Sequence, residues 1–150
     1  MREALAVAKK EMARADHLLY VSLKYTRTVD VFKNIIERYI NSYDQCMLSL
    51  LKKAHEQKKV ASIPDRPLEM AALVKTVYKD YPAVFEAMEE YLLLRKINKA
   101  EYTKAREFRR HVTMTAMVDG EMMDLTIDRM HEMYDKLKNF IQVVEELLNL

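Results

Sequence analysis

A single glycine, Gly120, and three prolines must serve every turn of a 150-residue chain. Sandwiches and barrels use such residues at each hairpin and corner, so they are excluded and helices become the expected fabric. Half of the residues are apolar and 32% are charged, a balance that suits a packed core rather than a disordered chain. At this length one domain over residues 1–150 can bury roughly two-thirds of its unfolded surface.

Apolar spacing divides the chain. Leu5, Ala8, Met12, Ala15, Leu19 and Leu23 recur at three- and four-residue steps and predict a helix from Arg2 to Tyr25. Thr28 is placed to cap a second long helix carrying Val29, Phe32, Ile36, Tyr43, Met47 and Leu50. A polar connector from Gln57 to Pro67 follows, then short and medium helices that open at Pro67 and Pro82. A fifth helix is expected over Lys99–Met117, ended by Gly120, with Asp119 capping the next. The last helix has the most regular stripe: Met123, Ile127, Met130, Tyr134, Leu137, Ile141, Val144 and Leu148. The expectation is an all-α fold, an antiparallel bundle of five or six helices, four of them long.

No apolar run approaches the ~20 residues of a membrane helix. Met1-Arg2-Glu3-Ala4 reads as a helix start and not as an export signal. Cys46 is the only cysteine, so it is expected as a small buried hydrophobe, with no internal disulfide. A cytoplasmic location is the expectation.

Charge is uneven. Between Arg95 and Arg110 seven bases face only Glu101 and Glu107, a local excess of five in a chain whose net charge is +2. Tyr102 and Phe108 interleave with them. A basic strip with aromatics can neutralise phosphates and stack on bases, which makes Arg95, Lys104, Arg109, Arg110 and Tyr102 candidate RNA-binding residues.

Within the strip, Arg106 precedes His111 with four residues between them. With Leu94-Arg95, Ala100, Tyr102 and an acidic, aromatic last helix, residues 90–150 resemble the second half of HEPN domains. These are small helical bundles whose nuclease members carry an Arg-x(4–6)-His motif. Many nuclease members place Asn, Asp or His directly after the arginine; Glu107 stands there in this chain. The resemblance implies metal-independent endoribonuclease chemistry needing no cofactor, a site shared across a homodimer, and in many cases a nucleotidyltransferase partner. On the motif match, Arg106 would hold the phosphate and His111 would move the proton. On one continuous helix the two side chains would diverge by about 140°, so the backbone must be irregular there or the site must be shared.

Two other readings stand beside this one. Glu86/Glu89 and Glu121/Asp124 resemble the paired acidic motifs of MazG-type nucleotide pyrophosphohydrolases, which hold Mg²⁺ between facing helices. Six methionines between Met114 and Met133, with Leu125, Met133, Phe140, Val143 and Leu147 off the main stripe, suit a non-catalytic dimeric adaptor joined through the last helix. No Glu stands three residues before a His, so ferritin-like ligand pairs are not expected.

Overall fold

The computed structural model describes residues 1–149. In chain order these form α1 (Arg2–His17), a π-helical turn (Leu18–Ser22), α2 (Leu23–Tyr25), α3 (Val29–Glu56), α4 (Pro67–Val77), α5 (Pro82–Lys99), β1 (Tyr102–Ala105), β2 (Thr113–Val118), β3 (Glu121–Leu125) and α6 (Ile127–Leu148).

The spine is α3, about 42 Å long at 1.5 Å per residue. It buries Phe32, Ile35, Ile36, Tyr39, Tyr43 and Met47 among others, more than one stripe can hold. The reason is its setting: α1, α4, α5, α6 and β2 all pack against it. Its first turn is capped as the sequence predicts, with the Thr28 side chain accepting from Val31 N at 3.4 Å. Pro67 and Pro82 each occupy the first turn of their helix. Hydroxyls stitch neighbouring helices to this spine: Ser42 donates to the Ala8 carbonyl, Tyr39 to that of Met130 and Tyr78 to that of Leu50, each at 2.8 Å. Each of these hydroxyls is buried with a partner, as burial of a polar group requires. Cys46 is also buried, as expected, and burial pushes its thiol well above the ordinary range.

The all-α expectation is overturned between Tyr102 and Leu125. The fifth helix expected over Lys99–Met117 does not form; a three-stranded antiparallel sheet of order β1-β2-β3 takes its place. Tyr102 pairs with Ala116, Lys104 with Met114 and Ala105 with Thr113, while Thr115 pairs with Asp124 and Met117 with Met122. The cause is local. Asp119 and Gly120 both adopt left-handed backbone, φ 53° and φ 80°, the two-residue turn whose twist matches a hairpin. Gly120 therefore closes a hairpin and ends no helix, and α6 is capped by Thr126, which accepts from Arg129 N. Along β2, Met114, Ala116 and Val118 are buried while Thr113, Thr115 and Met117 face outward. The inner face lies on α3 and α5.

Of the five residues expected to supply a dimer seam, Leu125 on β3 and Met133, Phe140 and Leu147 on α6 are buried within this chain, and Val143 is half-buried. Of the methionine cluster, Met114, Met130 and Met133 are core, whereas Met117 and Met122 are exposed on the sheet. No described helix is long and apolar enough to cross a membrane.

Candidate nucleic-acid interface

β1 and β2 are joined by a loop, residues 106–112, and it carries three of the seven bases of the strip. Arg106, Arg109, Arg110 and His111 are all exposed on it, and Phe108 is 75% exposed between them. Arg106 and Phe108 adopt left-handed backbone, φ 56° and φ 65°. For residues with a Cβ this costs roughly 1–2 kcal/mol each, so the surroundings must hold the loop in place.

Two hydrogen bonds do so. Val29 N donates to Glu107 Oε2 at 2.9 Å, and Phe108 N donates to the Arg27 carbonyl at 2.7 Å. Glu107 thus supplies a carboxylate to the first turn of α3, where free amides and the positive end of the helix dipole favour negative charge. The loop returns through Val112, which is fully buried, and Thr113 Oγ1 donates to the His111 carbonyl at 2.9 Å. The exposed arginines accordingly project from a loop pinned at both shoulders.

The remaining candidates are only partly gathered here. Lys104 is on β1 next to the loop, its Nζ 3.6 Å from Asp30 Oδ1 in an exposed ion pair. Tyr102 opens the same strand, its ring 5.2 Å from Lys33 Nζ, which also donates to the Asn98 carbonyl. Arg95 belongs elsewhere. It stands on α5 with its guanidinium 5.8 Å from the Tyr91 ring and Nη1 at 3.4 Å from the Tyr91 hydroxyl, which donates to Asp44 Oδ1 at 2.5 Å. Burial raises the Asp44 carboxyl above the ordinary range, opposed by its bond to Tyr91 and by the Arg95 charge. Arg95 is thus engaged in a side-chain network that joins α5 to α3.

Sequence reasoning missed two parts of the site. Glu107 read only as a departure from the nuclease pattern, yet it is the tether. Arg27 was not singled out, because nothing local marks its carbonyl as the partner of a loop some eighty residues away. The acidic pairs do not form two facing helical rows either. Glu121 and Asp124 lie on β3, where residues three apart point to opposite faces, and Asp124 accepts from Thr115 Oγ1 at 2.7 Å. Glu89 is paired with Lys75 at 3.4 Å. Among the described residues no group of three or more His, Cys, Asp or Glu is placed to share a metal ion. No family model, no curated protein and no solved structure matches this chain.

Proposed function

We propose that this chain binds single-stranded RNA through the tip of the β1–β2 hairpin. The observation that carries the reading is the tether: three arginines, a histidine and an exposed Phe108 share one seven-residue loop fixed to α3 through Glu107 and to Arg27 through Phe108 N. A fixed loop loses little freedom on binding. Its guanidiniums can take phosphate oxygens in pairs, and the Phe108 ring offers a stacking face to an unpaired base. The cytoplasm is the compartment that fits this reading.

The test is affinity for a labelled mixed-sequence RNA across a salt series. Three phosphate contacts on a single strand give a slope of log K against log salt of about −2, and each arginine removed should lower its magnitude by about 0.7. A variant with Arg106, Arg109 and Arg110 all changed to alanine should lose most of the affinity while keeping its fold. Unchanged binding by that variant would sink the proposal.

A cleavage reading has support of its own in the loop. With no helix between Arg106 and His111, the divergence of about 140° no longer separates them, and both groups are exposed on the same short segment. One chain then offers a phosphate both a guanidinium and an imidazole, which suits 2′-hydroxyl attack with no metal ion. Chelator-resistant RNA cleavage by wild type, lost in both Arg106→Ala and His111→Ala, is the expected result. RNA binding with no cleavage would leave the loop as a binding surface alone. Of the HEPN resemblance, only Arg106 and His111 enter this reading.

A further inference from the structure

A cleft of about 280 Å³ opens between α5 and α6, floored by Tyr43 of α3. It is distant in construction from the hairpin loop and independent of the RNA reading. Two buried polar groups face it without hydrogen-bond partners: the Tyr43 hydroxyl, on a side chain that is fully buried, and both carboxylate oxygens of Glu90, which is 6% exposed. Lys136 Nζ approaches Glu90 Oε2 at 3.2 Å, close enough to form an ion pair but without hydrogen-bond geometry, and the lysine is largely in water. Unpartnered groups of this kind are rare in a core because burying a carboxylate without directed donors is costly.

The chemistry of the lining selects an occupant. Glu86 and Glu90 against Lys136 leave one negative charge. Both Glu90 oxygens are acceptors with no directed donor, and the Tyr43 hydroxyl can accept as well as donate, so a ligand carrying several N–H groups fits the lining. The Tyr43 and Phe140 rings stack at 5.6 Å and lie in the same wall, giving a π-surface to a positive charge. Alanines 83 and 87 and Val143 leave room for methylenes. Burial and the neighbouring Glu90 push the Tyr43 phenol up, so it stays a neutral hydroxyl. We infer that this cleft binds an organic ammonium ion, with Glu90 and Tyr43 receiving its N–H donors and the Tyr43–Phe140 wall facing its charge. A free amine is the ligand that an inset cleft of this size takes most directly.

The experiment measures binding to the full chain by calorimetry and by the rise in melting temperature. Butylamine is the probe, and tetramethylammonium at equal ionic strength is the cation without N–H donors. Saturable binding of butylamine, with tetramethylammonium at least tenfold weaker, is expected, since a hydrogen bond to a charged group is worth about a factor of ten or more. Glu90→Gln keeps the shape and removes the charge, and it should abolish the butylamine response. Tyr43→Phe removes one acceptor and should weaken binding about tenfold, which keeps the inference testable if the Glu90 variant fails to fold. A short peptide with one internal lysine distinguishes the source: tighter binding than butylamine would make the ligand a partner's lysine side chain. Equal responses to butylamine and tetramethylammonium, or an undiminished response in a folded Glu90→Gln chain, would overturn the inference.

Discussion

Glu107 and Arg95 both lie in the basic strip, and what each touches separates its role from its charge. Glu107 holds the Val29 amide at the start of α3, so Glu107→Ala should remove a helix cap and free one shoulder of the loop. Loss of such a cap costs about 1 kcal/mol, which for a chain of this size lowers the melting temperature by about 2–4 °C. RNA affinity should fall with it although no positive charge is lost; a variant that loses stability and keeps affinity would show that the tether does not shape the interface. Arg95→Ala should do the reverse. Its guanidinium sits over Tyr91, whose hydroxyl binds Asp44, so the substitution should lower stability and leave RNA affinity within about twofold, a change of under 0.5 kcal/mol. A tenfold loss would return Arg95 to the interface. The arginines and histidine of the loop were legible in the sequence because clustered charge is visible whatever backbone carries it. The position of Arg95 was not legible, because Asp44 is far away in the chain and only packing of α3 against α5 brings them together.

At the scale of elements, the long helices were legible because each repeats its apolar residues at helical spacing over several turns. The π-helical turn Leu18–Ser22 was not, since one widened turn leaves the stripe of Leu19 and Leu23 almost unchanged. The sheet was missed for a different reason. Residues 99–117 are rich in Lys, Glu, Arg, Ala and Met, good helix formers that outweighed a weaker local pattern. That pattern was present: Thr113, Thr115 and Met117 alternate with Met114, Ala116 and Val118, and Asp119-Gly120 follows as a two-residue hairpin signal. Reading Gly120 as a helix stop used the right residue for the wrong turn. Gly120 adopts φ 80° with no heavy atom within 4 Å of an added Cβ, so Gly120→Ala meets conformational cost without a clash. The expected loss is about 1 kcal/mol, seen in denaturant titration as a lower midpoint with an unchanged slope. A loss several times larger would mean that the turn carries packing absent from this structure.

Across the whole molecule, the core is built around tyrosines whose rings are buried while their hydroxyls reach polar partners or, for Tyr43, a cleft. This arrangement joins α3 to α5, α6 and the end of α4, and it makes the fold sensitive to alkali. Burial pushes the phenol of Tyr78 up to about 12 and raises those of Tyr39, Tyr43, Tyr91 and Tyr134, with Asp44 adding to the effect at Tyr91. In the unfolded chain a phenol ionises near pH 10. A group whose folded value is raised contributes stability that is fully present below about pH 10 and is lost as pH rises through the folded value. Stability should therefore hold to about pH 10 and fall steeply toward pH 12, with several phenols ionising together as the helices melt. Phenolate absorbance and helical circular dichroism followed on one sample test this directly. The buried set should ionise only as the helix signal disappears. Ionisation of every tyrosine near pH 10 with the helices still formed would contradict the packing that places Tyr39, Tyr43 and Tyr91 at the centre of the chain.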